Sequence, residues 1–288
     1  VDARVLKIAA MACSYNRLEK TKAFLKSLTN QYVPQGYQLD IYMLDDQSPD
    51  GTANYIREHF PSVNLITGSG SLFWAGGMRR LWQQVRETAD YDFYILLNDD
   101  VKLFDNAIEK LLAAYPKSAE KENVLVGTVQ NPDLTRITYG GRKLLNSYNG
   151  DAVMIEPDAN DLKECDLGNA NIMLIDQGTV NKIGILSDRY IHSFADFDYT
   201  LNAKKHGAKV WVAPGYYGSC DYDHGKPWLS SAHSLKKRIA YMRSPKGIES
   251  RSYLRYIRKF FPLNYPAAVL KLWLKTLLPV IYDKYKKD

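Results

Sequence analysis

Residues 91–100 read YDFYILLNDD, and this stretch decides the fold. Tyr91 to Leu97 is an almost unbroken run of aromatic and aliphatic side chains, the pattern of a short buried strand. It stops at Asn98-Asp99-Asp100, an amide and two carboxylates. All three are oxygen donors of the kind that hard cations such as Mg²⁺ and Mn²⁺ prefer. In an open α/β sheet, ligands bind beyond the carboxyl ends of the strands. The run is therefore expected to deliver a metal site, with a phosphate beside it, to the functional edge of a sheet.

Working outward from this strand, helices and strands alternate. Val5 to Ala12 and Leu39 to Leu44 read as strands, the second ending at Asp45-Asp46, and Val63 to Thr67 reads as another. Asn16 followed by Glu19 resembles a capping box, with Leu18, Thr21, Leu25 and Leu28 on one helical face. Gly51 to Phe60 reads as a short helix, and a longer one is expected from about Gly76. Asp105 is expected to cap the helix that buries Ile108, Leu111 and Leu112. Such alternation implies βαβ units and a mostly parallel central sheet flanked by helices. After Pro116 the rhythm changes to short strands (Val124–Val129, Arg136–Tyr139, Ala152–Glu156) and an apolar strand at Leu167–Ile175. A helix from Asp196 to His206 closes on Gly207, and a strand follows at Lys209–Ala213.

The 288 residues are 45% hydrophobic and 24% charged, the balance of a globular protein. Three distant cysteines, Cys13, Cys165 and Cys220, form neither a metal-binding spacing nor a disulfide framework, which points to a reducing compartment. No apolar run has the length of a membrane span or the layout of a secretory leader, so neither is expected in these residues. The net charge of +6 is unevenly spread. Residues 232–288 hold 14 Lys and Arg against 3 Asp and Glu, a net of +11, and the other 231 residues stand at −5. We expect one catalytic unit over 1–231, with a nucleotide half at about 1–115 and an acceptor half at 116–231. A basic, aromatic helical extension follows over 232–288.

The segment Asp45-Asp46-Gln47-Ser48-Pro49-Asp50-Gly51-Thr52 follows the second strand. A carboxylate there can accept from a base or a ribose hydroxyl, while Asp50 is placed to cap the next helix. Taken with Tyr15-Asn16-Arg17, a glycine-rich loop after the third strand and Asn98-Asp99-Asp100, the ordered set resembles family 2 glycosyltransferases of the GT-A fold over about residues 5 to 225. In that family an Asp-x-Asp motif binds the divalent cation, Mn²⁺ or Mg²⁺, that holds a nucleotide-diphosphate sugar. Asn98 departs from the motif, so the resemblance makes Asp100 the metal ligand and leaves Asn98 and Asp99 facing the donor.

The resemblance implies a set of roles. Phe194-Ala195-Asp196-Phe197-Asp198 matches the Glu-Asp-x-Asp stretch, with Ala195 in place of Glu. This makes Asp196 the catalytic base and puts Asp198 at the acceptor or at the helix start. His224, in Cys220-Asp221-Tyr222-Asp223-His224-Gly225, is a second candidate metal ligand. Ala12, Ser14 and Tyr15 would cradle the base, and Arg17, Asp45 and Asp46 would contact the nucleotide. Trp74 would stack on donor or acceptor sugar, with Gly76, Gly77 and Arg79 near the diphosphate. The chemistry makes each role necessary. Negative charge develops on the leaving diphosphate and a bound cation stabilises it, the sugar carbon becomes oxocarbenium-like, and the acceptor hydroxyl needs a carboxylate to take its proton.

The expected activity is metal-dependent, inverting sugar transfer from a UDP- or dTDP-sugar to a glycan or lipid-linked glycan, as in bacterial surface polysaccharide or lipopolysaccharide synthesis. The basic extension, with Tyr241, Tyr253, Tyr256, Phe260 and Phe261 among its cations, suits an anionic membrane surface. The expected location is the cytoplasm, peripheral on the inner membrane of a bacterium. Nucleic acid would explain the charge but not the motifs and is not expected as a partner. Asn98 and Ala195 are also the features of a glycan-binding subunit that has lost catalysis. A nucleotidyltransferase would need a more basic loop than residues 11–17 provide, and a dehydrogenase would need a Gly-x-Gly-x-x-Gly after the first strand.

Overall fold

A computed structural model describes residues 4–116, 122–222 and 228–285. Its first part is the expected alternation: β1 (Leu6–Ser14), α1 (Leu18–Thr29), β2 (Tyr37–Asp45), α2 (Thr52–His59), β3 (Asn64–Thr67), α3 (Phe73–Thr88) and β4 (Phe93–Asn98). There follow β5 (Lys102–Leu103), α4 (Ala107–Ala114), β6 (Asn123–Gln130), β7 (Ile137–Tyr139), β8 (Gly141–Leu144), β9 (Ala152–Met154), β10 (Lys163–Glu164), β11 (Leu167–Gly168), β12 (Ile172–Asp176), α5 (Gln177–Ile183), α6 (Ala195–Lys205) and β13 (Lys209–Ser219). The chain ends in α7 (Leu235–Arg243), α8 (Ser250–Phe260), α9 (Tyr265–Leu277) and α10 (Pro279–Tyr285).

The main sheet runs β10-β13-β6-β12-β4-β1-β2-β3, with β5 on β13 and β7 on β6. β1 pairs in parallel with both β2 and β4, and β2 in parallel with β3. β12 runs antiparallel between β4 and β6. The chain leaves β1 toward β2 and β3 and then returns to place β4 on β1's other side. Such a reversal of strand order opens a crevice at the carboxyl ends.

Alternating side chains explain why β4 is apolar throughout. Phe93, Ile95 and Leu97 enter the core under α1 and α4, while Tyr94 and Leu96 enter the opposite core with α3 and α6. β1 divides in the same way, Ile8, Ala10 and Ala12 to one side and Ala9 and Met11 to the other. The C-terminal helices share the second core: Tyr256, Ile257, Phe261 and Ala268 are buried in it.

Several local expectations are corrected. Asn16 does not cap α1; the backbone N–H of Leu18 instead donates to Asp50 Oδ2, 2.9 Å away across the sheet edge. Asp50 Oδ1 also accepts from Thr52 Oγ1 and N, so one carboxylate serves two helix starts. Asp105 is not the cap of α4, which begins after Asn106 with no side-chain cap. The helix expected from Gly76 starts a turn earlier, at Phe73. Leu167–Ile175 is two strands separated by Asn169-Ala170-Asn171. β13 runs on to Ser219 through a break in register between Val212 and Tyr216.

Candidate active site

Register places the strand-end residues side by side. Ser14 lies opposite Asp45, and Cys13 opposite Asn98. Asp45 is 2% exposed; its Oδ2 accepts from Ser48 N, while Oδ1 is buried without a hydrogen-bond partner among the described residues. Burying an unmatched acceptor costs about 1–3 kcal/mol, so such an atom marks a place where a ligand can donate. Asp46 is differently employed. Its two oxygens accept from Gly70 N and Leu72 N, each at 2.7 Å, and so hold the glycine loop against β2. Gly68 permits this approach, since a Cβ there would stand 2.3 Å from Asp46 Oδ1.

Asp99 and Asp100 lie in the turn after β4, and one guanidinium reaches both: Arg17 Nη1 stands 3.7 Å from Asp99 Oδ1 and 2.7 Å from Asp100 Oδ2. Asn98 Oδ1 and Asp100 Oδ1 are buried and accept no N–H or O–H among the described residues; the Cys220 thiol lies beside Asp100. Asp100 Oδ2 pairs with Arg17 Nη1 at 2.7 Å and more loosely with Lys20 Nζ at 3.9 Å. Asp99 faces inward and accepts from Thr21 Oγ1. Burial pushes its carboxyl up to about 6; nearby Arg17 opposes that rise and Asp100 adds to it. The Thr21 contact suits an orienting role for Asp99, the alternative to a donor contact.

Asp196 lies in the first turn of α6, just after Phe194, whose φ is +69°. A left-handed phenylalanine costs energy that the surrounding packing must sustain, and such residues gather at working sites. Asn16, Gln47, Phe73, Asn106, Leu134 and Glu249 share that conformation. Asp196 Oδ2 lies 3.4 Å from both Asn169 Nδ2 and Ala170 N. One residue further, Asn171 O accepts from Asn98 N at 3.2 Å. The tripeptide Asn169-Ala170-Asn171 therefore ties the candidate base directly to the candidate metal motif, and the two share one cleft. Reading Leu167–Ile175 as one strand hid this tripeptide; the two asparagines interrupting an apolar run were its signal.

Other expected residues turn out to be structural. Asp198 is buried, accepting from Tyr190 OH at 2.8 Å and from Lys259 Nζ at 2.8 and 2.9 Å, so it anchors α8 rather than facing an acceptor. Arg79 Nη1 donates to the carbonyls of Ser187 and Tyr190 and fixes the loop before α6 instead of reaching a diphosphate. Gly76 N and Ala75 N donate to Ile191 O, which occupies the start of α3. Gly77 is a packing residue whose Cβ would meet Cys13 Sγ at 3.3 Å. Ala12 belongs to the core and Ser14 Oγ bonds Thr21 Oγ1, leaving Tyr15 as the exposed member of that trio. Lys246 lies over the Tyr15 ring, 5.7 Å from its centroid. Trp74 is half-buried, with an indole N–H that finds no acceptor among the described residues. Ala195 is wholly buried, so the position where the resemblance expects Glu faces the core.

The residues fit a hard divalent cation in donor type, with Asp100 Oδ1 and Asn98 Oδ1 left unmatched beside each other in sequence. No group of three His, Cys, Asp or Glu able to hold a metal occurs among the described residues. His224 lies outside the described residues.

Residues 10–152 match the model of the family described as Glycosyl transferase family 2. No curated protein sequence matches the chain. Among solved structures it is similar to S. aureus TarS residues 1–349 in complex with UDP, at 13% identity and a TM-score of 0.56, over 89% of this chain and 72% of that one. It is also similar to the mannosyltransferase PcManGT from Pyrobaculum calidifontis in complex with GDP-Man and Mn²⁺, at 14% identity and a TM-score of 0.54, over 98% and 76% of the two chains. GalNAc-T7 with UDP, GalNAc and Mn²⁺ aligns at 13% identity and a TM-score of 0.56, over 99% of this chain and 59% of that one. Likeness at these identities concerns the fold, while the family match covers the segment that carries Asp45 and Asp100. Residues 10–152 are a glycosyltransferase family 2 segment, and the chain is a glycosyltransferase of GT-A architecture.

Proposed function

We propose that the chain transfers a sugar, with inversion, from a nucleoside-diphosphate donor to a hydroxyl of a glycan or lipid-linked glycan, of the kind assembled into bacterial surface polysaccharide. The observation that supports this is the link from Asp196 through Asn169-Ala170-Asn171 to Asn98, which would let a base act beside a set of unmatched oxygens. Asp45 Oδ1 would accept the imide N–H of uracil or thymine, and Tyr15 would flank the base. Asp100, with Asn98 and His224, would hold a divalent cation, which when bound supplies Lewis-acid stabilisation to a leaving diphosphate. Arg17, now on Asp100, carries a guanidinium suited to a phosphate oxygen. Trp74 would offer its indole face and free N–H to a sugar. Asp196 would take the acceptor proton as the new bond forms. Asn169 and Ala170 hold its carboxylate in place meanwhile.

The C-terminal helices would bring this cleft to an anionic membrane surface. Support comes from their charge and from the exposed apolar residues of α9 and α10; no helix among the described residues is long and apolar enough to cross a membrane. Contact would be made from one side.

A thermal-shift screen of UDP, dTDP, GDP, CDP and ADP with Mn²⁺ tests the donor reading. A ligand at a hundred times its Kd stabilises by about 2.7 kcal/mol, so one nucleotide should stand out. A flat response to all five would remove the donor site. Incubating the matching nucleotide-sugars with Mn²⁺ and reading donor cleavage then distinguishes an enzyme from a glycan-binding subunit.

A further inference from the structure

A cleft of about 210 Å³ lies on the outer side of α8, lined by Arg251, Leu254, Arg255, Arg258 and Tyr265. The three arginines recur at spacings of four and three residues, which aligns them as one stripe along the helix. The opposite face of α8 is committed to the core through Ser252, Tyr256 and Ile257. Arg255 Nη1 donates to Arg189 O at 2.5 Å. Arg251 and Arg258 make no side-chain hydrogen bond or ion pair among the described residues, and no carboxylate pairs with any of the three. Like charges one turn apart repel, and no carboxylate among the described residues offsets that repulsion. Guanidinium groups are weakly hydrated forks that match phosphate oxygens two at a time. Converging on a concave site without a counter-ion, they define an anion receptor.

The neighbouring surface indicates how that anion arrives. Leu263, two residues before Tyr265, is 78% exposed, and Leu270, Trp273, Leu277, Leu278, Val280 and Ile281 are all exposed along α9 and α10. Lys271 stands among them. A row of exposed apolar side chains beside a cationic cleft matches an amphiphile, whose chains meet the row while its head enters the cleft.

We propose that the Arg251–Arg255–Arg258 cleft binds the phosphate or diphosphate head of a membrane lipid. Because Arg255 also holds Arg189, seven residues before Asp196, the bound head would lie against the segment that presents the base. This rests on the membrane-contact reading above and not on the donor chemistry.

The test is flotation of the full chain with phosphatidylcholine vesicles alone, with added phosphatidic acid, and with phosphatidylglycerol at equal surface charge. Two variants lose the same charge: Arg251→Gln/Arg258→Gln in the cleft, and Lys236→Gln/Lys237→Gln on exposed α7. Each basic group near an anionic surface is worth roughly a factor of five. Two charges lost near the surface account for up to about 30-fold in either variant, so the cleft variant should bind phosphatidic acid vesicles more weakly than the control variant by a further factor of about five or more. Equal losses in both variants overturn the cleft while leaving general membrane contact standing. Absence of binding by the wild-type chain to either anionic vesicle overturns both. Inorganic pyrophosphate is run without lipid as the other source of the anion. Arginine-dependent stabilisation by pyrophosphate with no vesicle binding would assign the cleft to a soluble phosphate and overturn the lipid.

Discussion

Substituting Lys259 by Met or Asp198 by Asn separates an anchoring ion pair from an acceptor contact, and the two outcomes differ in size as well as kind. The Asp198 side chain is 5% exposed and Lys259 is 34% exposed. In Lys259→Met the buried carboxylate keeps only the Tyr190 hydroxyl of the partners described above. Breaking a buried pair from one side costs about 3–5 kcal/mol. Solvent screens the third of Lys259 that is exposed, which brings the expectation to about 3 kcal/mol. In Asp198→Asn the amide oxygen still accepts from Tyr190 and the ammonium can turn to water, so the loss should be about 1 kcal/mol. For 288 residues, 3 kcal/mol corresponds to about 5 °C in Tm.

The double variant should lose less than the two single losses added, since each removes the same interaction. The loss should fall first on the docking of α8. Hydrogen exchange and limited proteolysis should therefore show residues 250–260 opening before the sheet does. Urea unfolding of the four proteins, read beside acceptor kinetics, provides the assay. If both single variants unfold like the parent while Asp198→Asn raises the KM for acceptor, then Asp198 faces the acceptor and the anchoring argument is wrong.

Asp196→Asn keeps an oxygen for Asn169 and Ala170 but cannot take a proton; sugar transfer should fall by about 10²–10⁴-fold while nucleotide binding, measured by calorimetry, stays within twofold. Near-normal turnover would refute the base assignment. Asp100→Ala should weaken Mn²⁺-dependent nucleotide binding at least tenfold and leave any metal-independent binding unchanged; unaltered affinity in Mn²⁺ would count against it as a ligand. Gly68→Ala drives a Cβ into Asp46, whose Cα would stand 2.9 Å away, so the loop bonded to that carboxylate must shift. A stability loss of about 1–3 kcal/mol and weaker nucleotide binding are expected, and a variant indistinguishable from the parent would show that the loop yields freely.

The β4 run and its polar ending were legible because a strand packed on both faces leaves no polar position until the chain leaves the sheet. Reading chemistry from adjacent carboxylates was less secure, and geometry explains why. In α6, residues 196 and 198 are about 200° apart around the axis, so one can face the cleft only if the other faces the core. That rule was available from spacing alone and sets Asp196 and Asp198 on different faces of α6. The partner of Asp198 was not available, because Lys259 is 61 residues away and nothing local marks it among the basic residues of α8. Ala12, Ser14, Gly76 and Gly77 are ambiguous for another reason. Small residues at a strand end or a helix start serve ligands and close packing equally well, and only the neighbours decide.

An acidic cleft for an anionic donor is a contradiction that the geometry resolves unevenly. Asp45 offers one unmatched oxygen and Asp46 none, since both of its oxygens are held by loop amides. Asp99 is buried against Thr21, its carboxyl pushed up to about 6 by burial but still mostly ionised at neutral pH. Asp100 presents an unmatched Oδ1 at the end of β4, and Arg17 already covers its other oxygen. Two unit charges 4 Å apart interact by about 4 kcal/mol near a protein surface, so a diphosphate arriving beside Asp100 needs a cation between them. Arg17 can serve either partner, carboxylate or phosphate, but a guanidinium shared by both cannot neutralise the two to four negative charges of a diphosphate. With Asn98 neutral, a divalent ion meets weaker attraction here than at a pair of carboxylates. Cation and donor are therefore expected to bind best together, each supplying the charge that the other lacks.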